Sequence, residues 1–279
     1  MPPAVSSWIR PYLAVLSARF RMLLQYRSAA FAGFATQLFW GAIKLMIFAA
    51  FYGVATSEQP MTLSQVVAYV WLGQALLGLL PWNVDPDLAD KMLTGAVAYE
   101  LLRPLDLYTF WFARTVALRT ATATLRAIPM VFVVAVVLPW AGLEAWALAP
   151  PPSALAGVLF AASLCAMVLL ASAITMVLHV SLLWTVSGRG FNAIMSGLVI
   201  VLSGMTVPLP LFPDWMQEFL YWQPFRGLAD VPFRIYAGHI ASHAALFEIM
   251  LQLAWAGIIV WIGRSVLRVA STRVVVQGG

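Results

Sequence analysis

Charge is scarce in this chain. Only 10% of its 279 residues are Asp, Glu, Lys or Arg and 62% are hydrophobic, whereas a soluble globular domain is about 25% charged. With a mean hydropathy of +0.88, the apolar excess is too large for one buried core. Lipid must solvate much of the surface, so the chain reads as an integral membrane protein. Cysteine is nearly absent too. Cys165 stands alone, which excludes an internal disulfide, and within SLCAMVLLASA it is expected to pack as a small hydrophobe. The only two lysines, Lys44 and Lys91, do not follow a glycine. The G-x-x-x-x-G-K-[ST] loop that cradles nucleotide phosphates is therefore missing. C-x-x-C, H-E-x-x-H and G-x-S-x-G are missing as well. His239 and His243, four apart in GHIASH, would share a helix face as metal ligands, but no third ligand is evident and they read as loop polarity. Neither a catalytic nor a metal site is expected.

What is present is a series of apolar runs. Spanning a bilayer takes about 20 predominantly apolar residues, and six candidates emerge at 28–52, 66–82, 115–139, 154–179, 190–207 and 246–264. Residues 1–27 precede them. On a helix from Pro11, Leu13, Leu16, Phe20, Leu23 and Leu24 share one face, and Ala14, Ser17, Arg21 and Gln25 lie opposite. That pattern suits an amphipathic helix on the membrane surface, its arginines open to anionic headgroups, with a helix packed on another protein domain as the alternative. No internal repeat or flexible linker appears, and the chain reads as one domain over 1–279.

Basic residues orient the spans. With a cytoplasmic amino terminus, the inner segments carry Arg10, Arg19, Arg21, Arg27, Lys91, Arg103, Arg114, Arg189, Arg264, Arg268 and Arg273. The loops at 53–65 and 140–153 carry none, and 208–245 carries only Arg226 and Arg234. The asymmetry puts both termini inside. The net charge of +5 thus reports topology, and no nucleic-acid partner is expected.

Five of the eleven acidic residues fall in DPDLADKMLTGAVAYELLRPLD, positions 85–106. By the same topology this tract, within 83–107, is cytoplasmic. Asp85 suits an N-cap with Pro86 at the first helical position and Asp87 in the first turn, and Gly95 supplies a stop. A second short element, AYELL, runs to Arg103-Pro104. Helices this short persist only when packed on something. A magnesium-diphosphate site, as in membrane enzymes acting on lipid diphosphates, would also want clustered carboxylates. No second acidic cluster completes one.

QYRSAAFAGFATQLFWG, GAVAYELLRPLDLYTFWFAR, SGMTVPLPLFPDWMQEFLYWQPF and the terminal VVVQGG together resemble a bacterial family of small ABC-transporter permeases of the type-2, or exporter, class. The resemblance covers essentially the whole chain. It implies an all-α subunit of about six transmembrane helices in the bacterial cytoplasmic membrane, working by alternating access beside a second permease subunit, identical or related. It also implies that 83–107 is a coupling segment that docks on a separate ATP-binding cassette ATPase, which binds the ATP and magnesium; this chain binds no cofactor. Contacts would fall at Asp85, Asp87, Asp90, Lys91, Gly95, Tyr99, Glu100 and Arg103. The competing readings are a membrane enzyme acting on lipid diphosphates and a channel or scaffold without an energy source.

Two charges lie inside expected spans and need a reason, since each costs about 2.5–3.5 kcal/mol at mid-bilayer on an insertion scale. Lys44 and Arg126 are candidates for the substrate pathway. The alternatives are snorkelling of Lys44 to the outer headgroups and, for Arg126, a basic stripe continuing from Arg119. The stretch 204–245 is too proline-broken to span. Short helices are expected from Pro213-Asp214 to Trp222 and over Arg226 to Tyr236, a re-entrant pair whose Trp215, Phe219 and Trp222 would gate the outer mouth or seal it as an interfacial loop.

Overall fold

A computed structural model describes residues 5–25, 27–183 and 189–271. Arg273 and the VVVQGG end lie outside the described residues. Among these residues every regular element is helical. Helix α1 (Val5–Leu23) precedes α2 (Arg27–Val54) and α3 (Leu63–Leu76), and the short α4 (Pro86–Leu93) and α5 (Val97–Leu101) follow. Helix α6 (Leu107–Phe132) continues through a π turn, Val133–Val137, into α7 (Leu138–Trp140). Pro129 and Pro139 bracket that turn, each withholding a backbone donor. Then come α8 (Ala154–Ser181), α9 (Arg189–Leu202), α10 (Asp214–Trp222), α11 (Asp230–Tyr236) and α12 (Ser242–Ser271).

Among the described residues four helices are long and apolar enough to cross a membrane: Phe31–Val54, Leu107–Trp140, Ala154–Ser181 and Ser242–Ala270. Two shorter apolar helices, Leu63–Leu79 and Gly190–Leu202, coincide with the expected second and fifth spans. The second is shifted three residues toward the amino terminus, and the fifth is shorter than the sequence suggested. The second gives way to a 3₁₀ turn at Leu77–Leu79, and the fifth stops at Leu202 because Gly204 takes a left-handed φ of +83°. The third begins earlier than expected, because Asp106 caps it: its Oδ1 accepts from Thr109 N at 2.9 Å.

Helix α3 is buried from Val66 through Leu76, which explains a sequence hydrophobic on every face. Helices α2, α6 and α11 surround it, and α12 runs along α8 in the most extensive helix pair. Exposed Phe39, Trp40, Met46 and Ile47 on α2 and Phe247, Met250 and Trp261 on α12 form a greasy exterior suited to lipid. Cys165 belongs to that exterior: it is exposed on α8 rather than packed in the core. Helix α1 lies against α6 with Leu16, Phe20, Leu23 and Leu24 half-buried, while Leu13 is exposed beside the opposite face.

The stretch after α9 folds back against the long helices as two short helices, and polar side chains and backbone groups of the bundle satisfy its irregular backbone. Lys44 Nζ donates to Met205 O at 3.0 Å, Gln223 Nε2 to Leu202 O at 2.9 Å and Asp230 N to Ser203 O at 3.1 Å. Arg226 pairs with Glu248 of α12 at 3.0 Å, and Gln252 Nε2 donates to Gly227 O at 2.8 Å. Asp230 is fully buried, held by Arg234 at 2.9 Å and by the Tyr69 hydroxyl at 3.4 Å.

Gly204 sits at the root of this unit. A Cβ there would meet the Tyr69 hydroxyl, in a backbone conformation that L side chains avoid. Gly204→Ala should therefore cost roughly 1–3 kcal/mol, read as a lower unfolding temperature in detergent. Gly197→Ala, facing open space in α9, should not lower it; equal losses would contradict this account of the turn.

Candidate functional site

The charged tract leaves α3 through the 3₁₀ turn and an extended stretch, Leu80–Val84. Arg119 of α6 clamps that stretch. Its Nη1 donates to Leu80 O and Asn83 Oδ1, both at 2.8 Å, its Nη2 donates to Asn83 O, and its Nε donates to Thr175 Oγ1 of α8 at 3.2 Å. Ser196 of α9 adds a bond to Trp82 O at 2.9 Å. Asp85 follows, and its N donates to His179 Nε2 of α8 at 2.8 Å. As expected, Asp85 caps α4, its Oδ1 accepting from Asp87 N at 3.1 Å with Pro86 next in line. Gly95, at φ +75°, turns the chain from α4 into α5.

Six charges then interlock. Arg19 of α1 donates to both carboxylate oxygens of Asp85 at 3.0 Å. Arg114 of α6 reaches Asp85 at 3.4 Å, Glu100 at 3.5 Å, and Asp87. Lys91 pairs with Glu100 at 2.9 Å and Asp87 at 3.6 Å. The indole of Trp111 donates to the other Glu100 oxygen at 2.6 Å. Three cations thus balance three carboxylates, and Asp85, Glu100 and Arg114 are buried. Burial alone would raise the Glu100 carboxyl, but the bonds from Trp111 and Lys91 and the Lys91 and Arg114 charges hold it below its ordinary value. Asp87 is likewise held low against its burial, chiefly by Arg114. An apolar floor lies beneath, where Leu88 and Val97 pack with Tyr108, Trp111, Met176 and Leu267.

The eight residues expected to face a partner therefore divide. Asp85 and Glu100 are turned inward, and Asp87 and Lys91 are committed to the network. Asp90, Gly95, Tyr99 and Arg103 are exposed. Tyr99 is 77% exposed, and beside them Leu102, which the sequence reading did not single out, is 81% exposed. Arg103 is steadied over the Phe110 ring at 5.1 Å. Arg19, Arg114, Trp111, Arg119 and His179 were missed as parts of the site, since their partners lie up to 94 residues away in sequence. The one available signal was an acidic excess in a chain whose arginines gather in the segments expected on the same side. With Asp85 and Asp87 bonded to arginines, the carboxylates that a magnesium-diphosphate site would need are taken.

The other candidates lie elsewhere. Lys44 does not snorkel outward but binds the Met205 carbonyl. Arg126 lies against Gly33 of α2, while Arg119 of the supposed stripe is consumed by its clamp. Trp215, Phe219 and Trp222 share the exposed face of α10. His239 and His243 do not share a helix: His239 precedes α12, its Nδ1 accepting from Arg234 Nε at 3.0 Å, whereas His243 lies in its first turn. Among the described residues no group of three metal-ligating side chains occurs.

Removing Arg114 would leave two buried carboxylates short of charge. Arg114→Ala should cost about 3–5 kcal/mol, and Lys91→Ala, at the half-exposed edge, no more than about 1 kcal/mol. Thermal unfolding in detergent checks the ratio, and equal costs would contradict it. Because Glu100 and Asp87 are held low, their contribution is complete above the ordinary carboxylate range of about 4 and is lost only as pH falls through the lowered values. The cost of Glu100→Gln in the same unfolding measurement should therefore be equal at pH 6 and pH 8.

No curated protein matches the chain. The family described as ABC-2 family transporter protein matches residues 38–278, from the middle of α2 to the carboxyl end and across the whole charged segment. The chain is a member of the ABC-2 transporter family, a multi-pass membrane permease component of an ABC transporter.

Proposed function

We propose that this permease serves an ATP-driven exporter of the bacterial cytoplasmic membrane, and that α4 and α5 are the handle by which a separate ATPase subunit moves it. The observation that carries this reading is the two-sided build of the 85–106 segment. Its inner side is cemented to α1, α6 and α8 by the Asp85–Arg114–Glu100 network, and its outer side offers Asp90, Tyr99, Leu102 and Arg103 to solvent. Large exposed apolar side chains flanked by charges are typical anchors of a protein interface. A chain with no phosphate-binding loop needs its nucleotide chemistry from another subunit.

Rigid attachment supplies the mechanics. Closure of two ATPase subunits around ATP would push the handle, and the buried charges would carry that push into α6 and α8 as a rigid body. Two permease subunits, identical or related, would enclose the pathway and alternate its opening. Both termini then lie in the cytoplasm, with α1 along the inner headgroups and its exposed Arg10 and Arg21 toward anionic lipid. The α10–α11 unit would close the outer mouth, with Trp215, Phe219 and Trp222 anchored in the interface.

Affinity purification of the tagged chain from its native membranes, with the retained proteins probed for a P-loop ATPase, tests the reading. The wild-type chain should retain that subunit, and Tyr99→Ala combined with Leu102→Ala should weaken retention on the order of tenfold or more. The unfolding temperature should not change. Full retention and transport by the double variant would overturn the assignment.

A further inference from the structure

Among the described residues several side chains leave one buried polar atom without a hydrogen-bond partner, Ser172 and Trp255 among them, and Gln37 leaves two. Gln37 of α2 is only 4% exposed, yet neither its amide oxygen nor its amide nitrogen has a hydrogen-bond partner. One turn before it, Gly33 leaves room for a guanidinium: a Cβ there would stand 2.7 Å from Arg126 Cζ and 2.8 Å from Nε. One turn after it, Gly41 lies against buried Gln74 of α3, whose Cγ would be 3.1 Å from a Cβ at that position. Gly33, Gln37 and Gly41 fall at four-residue steps on one face of α2. Gln37 thus lies on the α2 face that meets the Arg126 guanidinium one turn to one side and Trp71 with Gln74 one turn to the other.

The sign of this seam is unbalanced. Helices α2, α3 and α6 contain no acidic residue, and Arg126 has no acidic side chain within 4.0 Å among the described residues. Every other arginine of α6 is compensated, Arg114 by carboxylates and Arg119 by carbonyl and hydroxyl oxygens. One further turn along the same α2 face stands Lys44, bonded only to a carbonyl. An uncompensated intramembrane cation beside a donor-bearing amide calls for an anion, and it repels cations. Arg126 is half-exposed, so its guanidinium is reachable from the side of the bundle while Gln37 closes the inner end.

We propose that Arg126 and Gln37, backed by Gln74, form an intramembrane site for the anionic group of an amphiphile, selecting acidic over cationic molecules. The guanidinium offers a planar fork that fits a carboxylate, sulfonate or phosphate, and the Gln37 amide supplies a further donor. That the bound molecule is then transported rests on the exporter reading; the binding itself does not.

Binding is measured on the full chain in nanodiscs of neutral phosphatidylcholine, with dansyl-undecanoic acid at pH 8 as the probe and empty nanodiscs as the blank. Saturable binding to the wild-type chain is expected, with at least a tenfold loss in Arg126→Gln and a smaller loss in Arg126→Lys. Undecylamine should not displace the probe. Gln37→Leu, which suits a membrane helix, should also weaken binding and stands in if Arg126→Gln fails to fold. Displacement by added phosphatidylglycerol assigns the site to a lipid headgroup, and its absence assigns it to a free amphiphile; either supports an anion site. Absence of saturable binding, binding unchanged in the variants, or displacement by the amine would overturn the proposal. Probe binding without ATPase association would sink the exporter reading alone.

Discussion

The Arg114 guanidinium is the constraint on which the charged end of this protein depends. It stands buried on α6 among Asp85, Asp87 and Glu100, three carboxylates from a tract that would otherwise have no reason to fold. Buried charge pairs seldom stabilise a fold more than apolar packing would, but breaking one is costly, so they fix geometry. Here the geometry is an alternating set of cations and anions that ties two helices, each too short to stand alone, to three longer ones. Arg19 brings in α1, and His179 brings in α8. The segment's position therefore reports the positions of α1, α6 and α8.

The opposite end of the molecule meets the same requirement by other means. There the chain breaks repeatedly at proline and glycine, and the α10–α11 unit is fastened by single polar side chains from the long helices. Gln252 and Glu248 of α12, Tyr69 of α3 and Lys44 of α2 each hold one point of it. These intramembrane polar residues pin irregular backbone, which is why a chain with so little charge keeps them. Arg126 and Gln37 stand apart because they pin nothing.

Much of the local structure was legible in the sequence. Asp85 before Pro86, Gly95 after Leu93, and Pro213-Asp214 before an aromatic run mark helix ends by their own chemistry, and the structure places ends there. The ends of the second and fifth apolar helices were less legible, because a left-handed Gly204 and the Leu77–Leu79 turn depend on what packs around them. The charged tract illustrates the limit most clearly. Its acidic excess was visible, but which carboxylates face inward depends on arginines 14 to 66 residues away that only the fold brings near. Asp85 and Glu100, expected as partner contacts, are turned inward, whereas Leu102, to which the sequence assigns no role, stands out in solvent.

The central claim is that the outer side of the α4–α5 segment meets an ATPase subunit. Site-directed crosslinking tests it most directly. With Cys165→Ser removing the single cysteine, Leu102→Cys carrying a short photo-crosslinker should form a covalent product with the P-loop subunit in membranes. Trp215→Cys on the exposed face of α10 should not. Absence of that product from Leu102→Cys, in membranes where the two subunits co-purify, would contradict the account.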